Sequence, residues 1–280
     1  MAAFILVIYL RFIAYLKKET NLRLFSLLLL FNIAFSLNAS EHTETPEEQF
    51  WELIADFDEN LFYKDFAGKD LQELSYLINK FDDATAKTAL LLRKIKYLKV
   101  HSTSQELDEF LSQSFALIPE RHFHYLGIYT DYVWLQSSLD KSSRVESMRR
   151  QLEEVSIDGV DSFKLALNLL LSKDTLDYEV LETHCSNECN FSLYHLSIME
   201  YYKRNEDIER LKSYAGDLFR SYIKKELFIS DAFFVNYLLA YLSVINQDDK
   251  DASAFFREES FKYVSKGSFV YLRLHEILKQ

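Results

Sequence analysis

Apolar side chains recur along this chain at steps of three and four residues, the spacing that places them on one face of an α-helix. Phe50, Ile54 and Phe57 form such a stripe, as do Leu71, Leu74, Ile78 and Phe81. Leu91, Ile95 and Leu98 follow, then Leu107, Leu111 and Phe115 behind a Ser104 cap, and later Val145, Met148, Leu152 and Val155. Ile208, Leu211, Ala215, Leu218 and Tyr222 make the longest stripe. Four other segments, residues 123–135, 163–171, 191–202 and 233–245, are apolar on nearly every side. Helices of that kind belong in the middle of a fold, covered on both flanks. Polar breaks such as Asp82-Asp83, Asp158-Gly159, Gln247-Asp248-Asp249 and Lys266-Gly267-Ser268 separate the segments, and no alternating run of Val, Ile and Thr predicts a strand. The expected fold class is all-α.

Thr45-Pro46-Glu47-Glu48 reads as the first helix start, with Thr as the cap, Pro at the first helical position and Glu in the first turn. Further starts fall near 69, 84, 105, 119, 142, 161, 177, 191, 206, 231, 250 and 268. Their mean spacing is about 18 residues, so a helix pair occupies about 37, within the roughly 34 to 47 of helix-pair solenoids. At this architectural level residues 46–280 resemble a tetratricopeptide-like array, and Phe123-His124-Tyr125-Leu126-Gly127 carries that family's Leu-Gly pair. The family's Tyr three positions later is Thr130 here. The resemblance implies antiparallel helix pairs stacked as an α-solenoid of about 12 to 13 helices. The alternative is a compact irregular helical domain.

Composition supports the helical reading. Five glycines and two prolines serve 280 residues, where average usage would supply about thirty. Left-handed turns, phosphate loops and nucleophile elbows all depend on Gly. Gly127 and Gly216, placed inside helical patterns, predict close helix contacts. Phe 23 and Tyr 18 dominate an aromatic content of 15%, which suits aromatic helix packing or an aromatic groove for a peptide or sugar.

The first forty residues differ from the rest. Two apolar runs, Ala3 to Leu16 and Leu24 to Phe35, flank the polar segment Lys17 to Arg23. Neither reaches the roughly 20 apolar residues of a comfortable membrane span. The second run, with basic residues before it and Ala39-Ser40 after it, fits a secretion signal cleaved near Ala39. Residues 1–39 are therefore expected to be a leader, with 1–15 a mis-called start if translation begins at Leu16, and 40–45 a linker. The expected location is periplasmic or secreted, the alternative an uncleaved anchor in the inner membrane facing the periplasm.

Net charge is −11. Setting aside Arg11, Lys17, Lys18, Arg23 and Glu19 leaves 28 basic and 42 acidic residues, a charge of −14, on residues 40–280. Such a surface repels phosphate backbones, so nucleic acid is not expected as a partner. Membrane contact is expected only through an uncleaved leader.

Both cysteines lie in His184-Cys185-Ser186-Asn187-Glu188-Cys189. An exported chain permits a Cys185–Cys189 disulfide there; the lesser alternative is a metal site of His184, Cys185, Cys189 and His195, whose thiolates and imidazoles suit zinc or copper(I). His275-Glu276 opens a metalloprotease-like string, but Lys279 stands where the second His is needed. No nucleophile elbow, phosphate loop or dinucleotide fingerprint occurs, and no cofactor is expected. The reading is an exported helical-repeat protein, not an enzyme, that binds a protein or peptide in the cell envelope. Its alternatives are a glycan-acting envelope enzyme with paired carboxylates and a tethered sensory domain.

Overall fold

Short polar segments that supply caps divide the apolar stripes into twelve α-helices and one 3-10 turn, with no strand among the described residues. The computed structural model describes residues 44–114, 117, 123–139, 142–154, 160–171, 178, 180–181, 192–224 and 231–279. In chain order the helices are α1 (Pro46–Asn60), α2 (Lys64–Leu77), α3 (Ala84–His101), α4 (Ser104–Ser114), α5 (Phe123–Ser138) and α6 (Ser142–Glu154). Then come α7 (Val160–Leu171), α8 (Ser192–Arg204), α9 (Ile208–Ile223), α10 (Phe234–Ile245), α11 (Lys250–Phe261) and α12 (Phe269–Leu278). The leader at 1–39, the expected start near 119 and the Cys185–Cys189 segment lie outside the described residues.

Caps explain where the helices begin. Asp83 accepts from the backbone N–H of Thr85 at 2.6 Å, Asp207 from Arg210 at 3.2 Å, Asp249 from Ala252 at 3.1 Å and Ser268 from Tyr271 at 3.2 Å. Each satisfies a donor that the first helical turn leaves without a partner. At α4 the cap is Thr103 rather than the expected Ser104: Thr103 Oγ1 accepts from Glu106 N at 3.2 Å while Glu106 accepts from Thr103 N at 2.8 Å. This reciprocal capping box frees Ser104 for other work. Its N–H and hydroxyl both donate to the carbonyl of Gly267, at 3.0 and 3.1 Å.

The buried faces follow the stripes in part, since Ile208 and Tyr222 at the two ends of the α9 stripe are exposed. Phe50, Ile54 and Phe57 are buried on α1, and Leu211, Ala215 and Leu218 on α9. On α3 the expected Ile95 is buried together with Leu92 and Lys99, while the expected Leu91 and Leu98 are partly buried against the same core. Helix α10, apolar all round, contacts α8, α9, α11 and α12 and is central as expected.

Consecutive helices pack on one another, but contacts also join elements distant in sequence. Helix α12 lies against α10 and returns to α3, and Ser265 N donates to Val100 O at 3.0 Å beside the Ser104–Gly267 bonds. Stacked repeats contact mainly their neighbours. The all-α class holds, and the contact of α12 with α3 joins elements distant in sequence.

The glycine expectation is corrected. A Cβ at Gly127 would meet nothing within 4 Å, and at Gly216 only the Arg220 side chain at 3.7 Å. The close helix approach is at Gly68 of α2, where a Cβ would sit 3.3 Å from the Tyr97 hydroxyl of α3.

Candidate functional site

Four charged side chains project from apolar surroundings toward a cavity of about 360 Å³. Lys99 comes from α3, Asp131 from α5, Asp231 from the turn before α10, and Arg273 from α12. Lys99 is 7% exposed and Arg273 4%. The rest of the wall is mostly apolar, with Leu92, Ile95, Ile128, Phe163, Leu193 and Phe233 among its residues. Gly127, an exposed position of α5, also lines it, and a Cβ there would meet nothing within 4 Å.

The charges are held by specific partners. Lys99 Nζ is 2.6 Å from Asp131 Oδ2 and lies over the rings of Phe233 and Phe269 at 5.0 and 5.5 Å. Arg273 Nη1 reaches Asp131 Oδ1 at 3.5 Å, and its guanidinium sits 5.2 Å from the Trp134 ring and 5.0 Å from that of Tyr237. These aromatic faces favour the cation and limit how it can turn. Asp231 accepts from Ser192 Oγ at 2.9 Å and Phe233 N at 3.0 Å. On the α3 side, Arg93 and Lys96 both hold Asp58 of α1, at 2.5 and 3.0 Å.

Burial and charge act against each other on these groups. Burial would lower the Lys99 ammonium, but Asp131 and Asp231 overcome it and hold it above the usual lysine range. Burial pushes the Asp131 carboxyl up, and the Asp231 charge adds to that against the pull of Lys99 and Arg273. For Asp231, burial is outweighed by Lys99, the Phe233 N–H and the Ser192 hydroxyl, so its carboxyl lies below the usual range. Two buried guanidinium nitrogens of the lining, Arg93 Nε and Arg273 Nη2, have no hydrogen-bond acceptor among the described residues. Buried donors are nearly always paired in folded proteins.

Of the expected metal set, His184, Cys185 and Cys189 fall outside the described residues, as does the disulfide. His195 is buried on α8, with Nδ1 2.8 Å from the Tyr214 hydroxyl among the rings of Tyr194 and Phe234. Burial alone drives its imidazole down to about 4. Among the described residues no cluster of three or more His, Cys, Asp and Glu is arranged for a metal ion. No helix among them is long and apolar enough to cross a membrane.

The four central residues were not singled out by sequence spacing, since they are scattered between positions 99 and 273. One signal was present: Asp131 is the sole carboxylate in the largely apolar α5, and Lys99 and Arg273 occupy core positions one helical turn from Ile95 and from Phe269 and Ile277. A charge in an apolar stripe requires a partner or a ligand.

A second concavity of about 430 Å³ opens beside α2. Tyr63, Phe66 and Tyr263 stand at it 48%, 62% and 50% exposed. Tyr263 has a left-handed φ of 64°, a conformation that a non-glycine residue adopts at a cost.

No family model matches this chain, and neither a curated protein nor a solved structure does so.

Proposed function

We propose that this chain is a binding protein that takes a protein or peptide partner in the cell envelope and seats part of it in the cavity between α3, α5, α8 and α12. The observation carrying this reading is the cavity itself, with apolar walls around two buried cations and two half-buried carboxylates. Its volume of about 360 Å³ is within the roughly 300–1,000 Å³ of ligand pockets, which combine an apolar lining with a few polar anchors. A peptide offers the complementary mixture: apolar side chains, a carboxylate and an ammonium. The hydroxyls in the wall are committed to the fold, Thr130 donating to Leu126 O and Ser192 to Asp231, which favours binding over nucleophilic chemistry. Exposed Tyr63, Phe66 and Tyr263 add apolar surface suited to a protein partner.

Envelope location is proposed from the basic, apolar and small-residue succession of residues 17–40. N-terminal sequencing of the mature protein should give a start near Ser40; a retained leader would replace export with anchoring.

A panel of synthetic peptides, screened by isothermal titration, tests the binding reading. A saturable hit that is weakened in Gly127→Leu, whose side chain adds bulk at the cavity wall, supports it. Hits unaffected by Gly127→Leu, or no hit across the panel, reject the cavity as the receptor.

A further inference from the structure

We infer that the cavity receives a carboxylate carried on an apolar group, with Arg273 as its anchor. This rests on the binding reading above and specifies the end of the ligand that enters.

Charge balance points to an anion. Four cations, Arg93, Lys96, Lys99 and Arg273, face three carboxylates, Asp131, Asp231 and the Asp58 that Arg93 and Lys96 share. One positive charge is left over, the complement of a monoanion.

Geometry selects the residue. Lys99 has its carboxylate at 2.6 Å, whereas Arg273 reaches the same carboxylate only at 3.5 Å and keeps Nη2 buried without an acceptor among the described residues. A guanidinium presents parallel N–H donors suited to a two-oxygen acceptor. The rings of Trp134 and Tyr237 beside it, at 5.2 and 5.0 Å, restrain that fork before a ligand arrives. Little ordering is then lost on binding.

The walls select what the carboxylate is attached to. Leu92, Ile95, Ile128, Phe163, Leu193 and Phe233 line the same space, so a phosphate or sulfate would leave apolar surface uncovered. Two sources share the required chemistry, a small apolar carboxylic acid and the C-terminus of a peptide ending in an apolar residue. Asp231, held on the opposite side of the charge balance by Ser192 and Phe233 N, discourages a second anionic group.

The test uses the full chain and three probes: N-acetyl-phenylalanine, its C-terminal amide, and a pentapeptide ending in Phe with a free carboxylate. Trp134 is one of two tryptophans and lies against Arg273, so its fluorescence reports binding alongside calorimetry. The free acid should bind saturably, and the amide roughly tenfold or more weaker, the worth of one charge-assisted hydrogen bond. Arg273→Lys, which keeps charge but loses the fork, should weaken the acid by a similar factor; Gly127→Leu, which adds bulk at the cavity wall, should weaken binding with all four charges in place. A cooperative thermal transition in each variant shows that it folds. Equal affinity for acid and amide, acid binding unchanged in folded Arg273→Lys, or inorganic phosphate competing as well as the acid overturns the inference. Acid binding without pentapeptide binding keeps the carboxylate site and rejects the peptide reading. Amide-terminated peptides that bind in the cavity do the reverse.

Discussion

His195 shows how a single buried group can make stability depend on pH. Its imidazole is pushed down to about 4 by burial, from an ordinary 6.5, and its Nδ1 meets the Tyr214 hydroxyl at 2.8 Å. The unfolded chain takes up a proton as pH falls below 6.5, while the folded chain holds the ring neutral until about 4. Stability from this residue is therefore complete above 6.5 and declines between those values, by about 3 kcal/mol in all. In His195→Gln the decline over that window should shrink by that order, seen by comparing urea midpoints at pH 7 and 4.5; parallel losses in both proteins would show that His195 is not the source. The same scale governs Asp131, which stands between Lys99 and Arg273. Asp131→Ala leaves two buried cations without their shared carboxylate and should cost about 3 kcal/mol or more. A change under about 1 kcal/mol by denaturant titration would mean that solvent already screens the cluster.

At the element scale, punctuation was legible and faces less so. Starts expected near 84, 142, 161, 191, 250 and 268 fall within a residue or two of α3, α6, α7, α8, α11 and α12, because acids, Ser and Thr before an apolar run have a direct capping role. Helix α2 begins at Lys64, well before the expected 69, because buried Ala67 and the Gly68 approach to Tyr97 extend its packed face N-terminally. On α3 the expected stripe omits Lys99, which is buried one turn after Ile95. The residue that the stripe omits is one that builds the candidate site. Two glycines separate the local rules that operate here. Gly127→Ala meets open space inside a helix and should raise stability by about 0.5–1 kcal/mol, whereas Gly267→Ala enters a φ of 82° and should lower it by about 1 kcal/mol. Thermal melts of both decide the matter, and a drop in the first would mean that the cavity wall tolerates no added atom.

At the scale of the whole molecule, the question is what brings residues 99, 131, 231 and 273 together. Local pattern has no access to that answer, because the closure depends on a short segment after α11 meeting the end of α3. Ser265 N donates to Val100 O at 3.0 Å, and Gly267 O accepts from both Ser104 donors at 3.0 and 3.1 Å. Those bonds place α12 so that Phe269 packs edge-on to Trp134, with centroids 5.0 Å apart, and Arg273 reaches Asp131. Lys203 of α8 adds a further tie, donating to Glu276 O at 3.2 Å. If α12 closes the charge cluster in this way, deleting residues 268–280 should remove more than a terminal turn. It would uncover Phe233 and Trp134, strand Asp131 with Lys99 alone, and open the cavity to water. Hydrogen exchange should then rise throughout α3, α5 and α10, the first two of which are distant in sequence from the cut. In a chain of neighbour-only contacts the rise would stop at α10 and α11. Protection of α3 and α5 unchanged by the deletion would refute the closure and, with it, the assignment of one site to these four residues.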